Sequence, residues 1–373
     1  MKKIYLLMCV LALASCGEEV QKPTSAMSLE EVSFNDLKNF NNDNVDELKT
    51  GFMEICERIM MMRTPYISLN SEIKISTADY QAICKKNPNK DFKQFIKDNF
   101  NPYIIKDDDF TFGQFTSYFE PTINISKTKT DVYKYPIYGY PNDMVEFNLK
   151  DFAPELTEDK KIVARVEGKS LTPYYNREYI ENNSINAPVL FWTDNLVDLH
   201  IMHIQGPAVG ILPDGSKQRI AYAGNNGKEF KGIGSILIEK GLIKNGSMDA
   251  VKEWLEQNPE QARKLMQENN RFIFHRLVEA RGPIGAMGLP LTAGRSLAVD
   301  ERYIPLGSLM WLETVAPNKQ KIEKLVIAQD VGSAIKGIIR GDYFWGTGHG
   351  ILEHAGRMNA SGKYYILLPK EIK

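Results

Sequence analysis

Residues 328–348 read AQDVGSAIKGIIRGDYFWGTG and place two acids, Asp330 and Asp342, among small and apolar residues. Lys336 and Arg340 are the only cations in this stretch. Acids are mostly exposed in proteins, where they serve as caps, turns or surface ion pairs. The flanks of Asp342, IIRG and YFWG, argue for a different role. Apolar surroundings raise the pKa of a carboxyl group and keep a proton available, so Asp342 is a candidate general acid.

The N-terminus, MKKIYLLMCVLALASCGEE, has the form of a bacterial secretory signal. Its apolar run from Ile4 to Leu13 is too short to span a membrane. LASC at 13–16 matches the lipoprotein box, which implies cleavage before Cys16 and lipid on its sulfur. We predict a signal peptide over 1–15, a lipidated tether over 16–40 and an outer-membrane anchor facing the periplasm, since Gly and not Asp follows the cysteine. A plain signal with an incidental cysteine is the alternative.

Chain length, net charge and cysteine content limit the possible domain number, partners and disulfides. The chain has 373 residues, enough for two domains with their own cores, and a formal net charge of -1, from which we expect no nucleic-acid partner. Of its four cysteines, Cys9 leaves with the signal and Cys16 is lipidated. Cys56 and Cys84 remain in an oxidising compartment, where a disulfide is allowed. Two buried thiols fit their apolar neighbours equally well.

Apolar periodicity predicts the secondary structure. Positions Leu48, Phe52, Ile55 and Ile59 recur at helical spacing and predict an amphipathic helix from Val45 to about residue 62. Aromatic and β-branched runs broken by Pro, Gly and Asn predict β structure from about 110 to 220 and again after 281. Further predicted helices cover 77–86, 91–100, 234–243 and 247–269.

Two functions suggested by short motifs find little support in the sequence. The string DVGS at 330–333 is similar to the loop of aspartic proteases, but the partner loop would be Asp214–Ser216, which lies in a polar turn. Paired histidines suggest a metal site, yet His200 and His203 would face opposite sides of a strand, and HGILEH at 349–354 matches no zinc motif. We interpret these histidines as surface or partly packed residues. A two-carboxylate glycosidase is harder to dismiss, because acids are available at Glu120, Asp300, Asp330 and Asp342.

Five separated stretches resemble the membrane-bound lytic murein transglycosylase A family over nearly the whole mature length. They are FTSYFEP at 115–121, HIQGPAVGILPDGSKQRIAYAGNNG at 203–227, GLPLTAGRSLAVDERYIPLGSLMWLET at 288–314, AQDVGSAIKGIIRGDYFWGTG at 328–348 and AGRMN at 355–359. The resemblance implies a mainly β fold: a double-psi β-barrel with N-terminal helices, interrupted by an inserted second β-barrel-like domain. We expect the barrel at 41–121 and 282–373, with the 3D segment at about 290–368, and the insert at 122–281, with a glycan groove between the domains.

The resemblance also implies an activity. Asp342 would be a single acid/base, supported by Asp330, that cleaves the MurNAc-β-1,4-GlcNAc bond of murein and leaves 1,6-anhydromuramoyl ends. It implies no cofactor and no metal. The alternatives are a two-carboxylate peptidoglycan hydrolase and a non-catalytic wall lipoprotein that binds glycan.

Further positions are expected along the groove, where hydroxyl, aromatic, amide and cationic groups suit sugar recognition. They are Thr116, Tyr118, Glu120, Gln205, Gly206 and Lys336. The chain departs from the family pattern at Ser117, at His275 in place of a common Phe, and at His349 in place of a common Asp. The expected partners are peptidoglycan glycan strands, the membrane through the anchor, and cell-wall synthesis or division proteins, with the chain a monomer.

Overall fold

The computed structural model describes residues 26–86, 88, 91–155, 161–348, 351 and 357–370. The fold is mainly β, as the sequence predicts. The helices are α1 (Lys49–Met60), α2 (Thr77–Cys84), α3 (Phe92–Asn99), α4 (Arg177–Asn182), α5 (Leu196–Gln205), α6 (Ile233–Glu239), α7 (Met248–Gln257) and α8 (Pro259–Gln267). The strands are β1 (Met27–Glu31), β2 (Phe100–Asp107), β3 (Gly113–Glu120), β4 (Thr122–Ser126), β5 (Tyr135–Tyr138), β6 (Met144–Asn148), β7 (Lys161–Glu167), β8 (Ser170–Pro173), β9 (Val189–Thr193), β10 (Ala208–Ile211), β11 (Lys217–Asn225), β12 (Ile273–Val278), β13 (Ser296–Val299), β14 (Leu309–Val315), β15 (Lys321–Asp330), β16 (Arg340–Thr347) and β17 (Asn359–Pro369).

One sheet closes into a barrel. Its strand order is β1-β2-β17-β14-β15-β13-β16-β3, and β17 also pairs with β3. The start of β17 pairs with β3 and its later part with β14, so six strands form a closed ring. Closure leaves β1 and β2 as an extension of the ring and removes the free edge of β3. The double-psi connectivity of this ring stays a prediction.

The N-terminal helices cover the barrel. Leu48, Phe52, Ile55 and Ile59 are buried together, at the spacing that the sequence predicts for one helix face. Val45–Leu48 is a 3₁₀ turn and the α-helix begins at Lys49. These side chains join the same apolar core as the barrel strands, so the helices and the barrel form one packed body.

A disulfide joins Cys56 to Cys84 and therefore α1 to α2, with Cα atoms 5.3 Å apart. The sequence left the disulfide and the two buried thiols open, and the structure has the disulfide. The two cysteines are 28 residues apart, and loop-closure entropy predicts a stabilisation of about 3.5 kcal/mol for a loop of this length.

The predicted tether is wrong for its C-terminal part. Met27–Glu31 forms β1 and pairs antiparallel with β2, and Leu37 and Phe40 are buried in the core. The strand was missed because five residues of mixed polarity carry too little alternation to identify one. The signal peptide and Cys16 lie outside the described residues.

A second sheet follows β3 directly. Its strand order is β12-β11-β10-β4-β9-β5, and a separate three-stranded sheet, β6-β7-β8, accompanies it. The chain passes from the barrel to this sheet at Pro121 and returns between Val278 and Ser296. We name the part from β4 to β12 the inserted sheet region.

The uniform β prediction for residues 110–220 is wrong at α4 and α5. Asn195 caps α5, because its side chain accepts from the backbone N–H groups of Val197 and Asp198. His200 and His203 therefore lie on a helix and not on a strand, and both are buried.

Candidate active site

Asp330, at the end of β15, and Asp342, in β16, flank β13. Ala298 of β13 pairs with Asp330 on one side and with Asp342 on the other. Two strand spacings of about 4.8 Å each therefore separate the backbones of the two acids. Directly paired residues point to the same face of a sheet, so both carboxyl groups stand on one face with only the methyl group of Ala298 between them.

A β-bulge in β15 determines which way Asp330 faces. Ala298 pairs with Asp330 although the residue before it pairs with Ala328, so the ladder skips Gln329. Side chains alternate between the two faces, and regular pairing would have turned Asp330 away from Asp342. Gln329 is buried instead, and its Oε1 accepts a hydrogen bond from Ser296 Oγ at 2.5 Å.

Asp342 has one polar partner on one of its oxygens. Thr116, its neighbour on β3, donates its hydroxyl to Asp342 Oδ1, and Arg340 Nη2 donates to the same hydroxyl oxygen at 2.8 Å. Asp342 Oδ2 accepts no hydrogen bond from the described residues. Burial raises the pKa of Asp342, and the Thr116 hydrogen bond and the Arg340 charge only partly oppose it.

Asp330 has both oxygens occupied. The hydroxyl of Tyr118 donates to Oδ2 at 2.8 Å, and the backbone N–H groups of Ala286 and Val331 donate to Oδ1 at 3.1 and 3.0 Å. Burial nevertheless raises the pKa of Asp330 to about 6, with a contribution from the charge of Asp342. Burial and the Asp330 charge raise the pKa of Tyr118 well above its usual value, so the phenol stays a donor.

The two acids therefore differ in what they can do. A pKa near neutrality alone would favour Asp330 as the proton donor. Three donors already hold the oxygens of Asp330, whereas Asp342 keeps one oxygen for a substrate. Geometry comes before pKa in such an assignment, and it favours Asp342.

Glu120 is not a groove residue, contrary to the prediction. Its side chain is fully buried, and Arg219 of β11 donates to its two oxygens at 2.8 and 3.1 Å. Thr347 Oγ1 donates to the same carboxylate at 2.6 Å, and Arg219 also donates to the carbonyl of Ala280. The desolvated carboxylate needs these partners, and they tie the barrel to the inserted sheet region at both chain crossings.

The other predicted groove residues lie in three places. Thr116 and Tyr118 join the two acids, as described above. Gln205 Oε1 accepts from the backbone N–H of Phe119 at 3.2 Å and so contacts β3. Gly206 ends α5 with a φ of 93°. Lys336 is exposed in the connection from β15 to β16. Sugar contacts by these residues stay predictions.

Asp300, one of the sequence candidates for a catalytic carboxylate, anchors that connection. It is buried, accepts the backbone N–H of Gly337 at 2.9 Å and pairs with Arg302, whose Nε lies 2.9 Å from its Oδ1. Burial opposes ionisation, but the hydrogen bonds from Arg302 and Gly337 outweigh it and lower the pKa of Asp300. A carboxyl held as its anion is a poor proton donor.

The three described histidines form a cluster inside the inserted sheet region, so the expectation of surface or partly packed histidines is wrong for them. The ring of His203 stacks on that of His275 at 5.5 Å, and Arg177 Nη1 lies 3.0 Å from His203 Nδ1. His200 is buried beside them. No group of His, Cys, Asp and Glu within the described ranges has the arrangement of a metal site. His349 lies outside the described residues.

Sequence reasoning missed the structural partners of the acids. The backbone N–H of Ala286 and the spacer Ala298 carry no chemical signal in a sequence. Arg340 was visible as a nearby cation, but only strand pairing shows that it reaches Asp342 through Thr116. Arg219 lies within a matched stretch, and only the fold reveals its ion pair with Glu120.

Comparison with known proteins fits this architecture. The MltA specific insert domain matches residues 114–276 and the 3D domain matches residues 295–368. Fold and site together define a two-domain β protein of the 3D-domain class. The chain belongs to the membrane-bound lytic murein transglycosylase A family.

Relatives with similar sequences support this family assignment. Membrane-bound lytic murein transglycosylase A of Escherichia coli (strain K12) is 29% identical over 264 residues, which are 68% of this chain and 65% of that protein. The Vibrio cholerae protein of the same name is 30% identical over 60% of this chain and 56% of its own length. This chain thus aligns with less than two thirds of either relative.

The structure of a membrane-bound lytic murein transglycosylase from Agrobacterium tumefaciens is similar to this chain, with a TM-score of 0.80 and 29% identity. The comparison covers 92% of this chain and 98% of that chain. The MltA structure from Neisseria gonorrhoeae has a TM-score of 0.79, 28% identity, and coverage of 93% and 94%.

Proposed function

We propose that this chain is a peptidoglycan lytic transglycosylase in which Asp342 is the single acid/base. The observation that carries the proposal is the state of Asp342: burial raises its pKa, Thr116 donates to one of its oxygens, and none of the described residues donates to the other. The names of its relatives support the same activity. No cofactor is needed for this chemistry.

The proposed reaction uses Asp342 twice. Protonated Asp342 gives its proton to the oxygen between C1 of N-acetylmuramic acid and C4 of N-acetylglucosamine, and the C1–O bond breaks through an oxocarbenium-like state. The C6 hydroxyl oxygen of the same muramoyl residue then attacks C1, and the Asp342 carboxylate takes the hydroxyl proton. The ring closes to a 1,6-anhydro end, the acid is restored and no water is consumed. An internal nucleophile has a high effective concentration, so no second carboxylate has to activate water.

Asp330 is proposed to tune this acid. Its charge lies on the same face as Asp342, and a nearby negative charge favours the protonated form of a carboxyl group. Tyr118 and two backbone N–H groups keep Asp330 in place, so it orients and polarises the site without passing a proton.

We propose domain boundaries and a location from the sequence and the relatives. The barrel would comprise 41–121 and 282–373 and the insert 122–281, with the glycan strand in the groove between them. The relatives are named as membrane-bound, and no helix in the described part of the chain is long and apolar enough to cross a membrane. The anchor would be lipid on Cys16, at the outer membrane and facing the periplasm. Cys16→Ser should then release active protein from the membrane fraction, and a variant that stays membrane-bound would contradict this anchor.

Product analysis tests the activity. Purified sacculi are digested with the chain, and the released muropeptides are weighed by mass spectrometry. A lytic transglycosylase leaves anhydromuramoyl ends, which are lighter by one water than the reducing ends that a two-carboxylate hydrolase leaves. Reducing ends would replace the proposal by the hydrolase, and intact glycan with retained binding would replace it by a wall-binding lipoprotein.

A further inference from the structure

A cavity of about 560 Å³ lies where the barrel meets the inserted sheet region. Its walls come from β11 and β12 of the inserted sheet region and from Thr347 and Gly348 at the end of β16. Thr347 also donates to Glu120 at 2.6 Å, so the cavity is built on the buried junction between the two regions. It opens on the same strand that carries Asp342.

The cavity presents one unpaired charge of each sign. Lys217 and Glu279 line it, both are exposed, and neither forms an ion pair with any described residue. Arg219, the other cation of its wall, is occupied by Glu120. Among the described residues no aromatic ring lines the cavity, and it therefore lacks the flat apolar surface on which a sugar ring packs. A ligand with both carboxylate and ammonium groups complements this lining.

The distance to Asp342 fits a short peptide. Asp342 pairs with Thr116 and Thr347 pairs with Glu120, four residues further along β3, a rise of about 13 Å. An extended peptide of four residues spans at most about 14 Å, and a lactyl linker lengthens it further. A peptide attached to the muramoyl residue at Asp342 can therefore reach the cavity.

We propose that this cavity binds the stem peptide of the muramoyl residue whose glycosidic bond Asp342 cleaves. Lys217 faces the carboxylates of the peptide, and Glu279 faces the ammonium group of its diamino acid. The inference rests on the proposed function, because it takes the substrate to be peptidoglycan. It adds a preference for glycan that still carries its peptides.

Kinetics of the full chain on two substrates test this preference. One substrate is glycan strands with their peptides, and the other is the same strands after an amidase has removed them. The ratio of kcat/KM for the two should exceed one, and Lys217→Gln and Glu279→Gln should each lower it about two- to fivefold, as expected for a solvent-exposed ion pair. Lys244→Gln, an exposed lysine outside the cavity, is the matched control. A ratio of one, or an equal fall in the control, overturns the proposal.

Calorimetry separates this inference from the proposed function. The full chain with Asp342→Asn is titrated with a muramyl tripeptide that contains a diamino acid, and with N-acetylmuramic acid alone. Tighter binding of the tripeptide, weakened by added Lys217→Gln, supports the cavity even if no glycan is ever cleaved. Equal binding of the two probes overturns the proposal that the cavity binds peptide. Cleavage that continues without peptide dependence leaves the proposed transglycosylase activity intact.

Discussion

The barrel and the inserted sheet region both bury titratable side chains, with opposite consequences. In the barrel, burial raises the pKa values of Asp330 and Asp342, and both carboxyl groups stand on one face of the sheet. In the inserted sheet region, burial lowers the pKa of His275 to about 3, and it lowers those of His200 and His203 well below the usual value. Burial favours the neutral form in each case, which is the protonated acid and the unprotonated base.

The sign of the pH dependence follows from these shifts. The raised pKa of Asp330 contributes stability that is present below pH 3.8 and lost as the pH rises through about 6. The lowered pKa values of the histidines contribute stability that is present above pH 6.5 and lost as the pH falls towards their folded-state values. Acidification from pH 7 to 5 should therefore weaken the inserted sheet region, while Asp330 of the barrel gains a proton. Asp330 of the barrel and the buried histidines of the inserted sheet region therefore change stability in opposite directions when the pH falls.

The largest expected effect is that of Asp342→Asn. The substitution keeps the shape of the side chain but removes the transferable proton, so turnover on sacculi should fall ~10²- to 10⁴-fold with folding and glycan binding retained. Muropeptide release measures turnover, and co-sedimentation with sacculi measures binding. Anhydromuramoyl products at nearly the parent rate would move the acid to Asp330, since Glu120 and Asp300 are held as ion pairs.

Asp330→Asn should cost less, about 10- to 100-fold in turnover, because on the proposed mechanism Asp330 tunes Asp342 through its charge and does not pass the transferred proton. If Asp330 tunes Asp342 as proposed, loss of its charge should move the alkaline limb of the pH–rate profile to lower pH. Losses equal to those of Asp342→Asn, with reducing ends as products, would identify the two-carboxylate hydrolase.

His275→Phe tests the other half of the comparison. The imidazole is buried and neutral, so its contribution to the free energy of unfolding should fall by about 2 kcal/mol between pH 7 and 5. Phenylalanine does not titrate, and the variant should lose that much less stability on acidification. Its remaining acid sensitivity comes from His200 and His203, which face Arg177. Urea titrations at pH 7 and pH 5 measure the free energy of unfolding. An equal loss in variant and parent would show that His275 does not contribute to the acid sensitivity.

The smallest expected effect is that of Thr116→Val. The change deletes the hydroxyl that donates to Asp342 and receives Arg340, a loss of about 1 kcal/mol or roughly fivefold in turnover. The Thr116 hydrogen bond lowers the pKa of Asp342, so its loss should move the alkaline limb of the profile to higher pH. Thr314→Val removes a barrel hydroxyl bonded to the Ser361 carbonyl and serves as the control. Identical pH–rate profiles for parent and Thr116→Val would show that the Thr116 hydrogen bond does not affect the pKa of Asp342.

Sequence reasoning reached the parts of this molecule that depend on local pattern. The stripe of Phe52, Ile55 and Ile59 predicted α1 because burial repeats with the helical turn. The apolar flanks of Asp342 predicted a raised pKa, which the structure has. Order and spacing of five motifs led to the family and to a mainly β fold.

The sequence could not predict features that depend on contacts between distant segments. The bulge at Gln329 is a property of strand pairing, and no local pattern distinguishes it. Glu120 looked accessible because its partner Arg219 lies 99 residues away. The helix α5 was missed because its apolar and β-branched residues also suit a strand, and tertiary packing decided between the two.

The long separation in sequence between β3 and its partner strands has a consequence for the order in which the site forms. Thr116 and Asp342 are 226 residues apart, and β3 meets both β16 and β17 only in the closed ring. Contacts between such distant segments form slowly, because a long loop must be ordered first. A chain that emerges N-terminus first therefore has no contact between Thr116 and Asp342 until β16 and β17 are available to close the ring. On the proposed function and location, a partly exported chain would therefore not cut the wall, and activity would begin only after the whole chain has crossed the membrane.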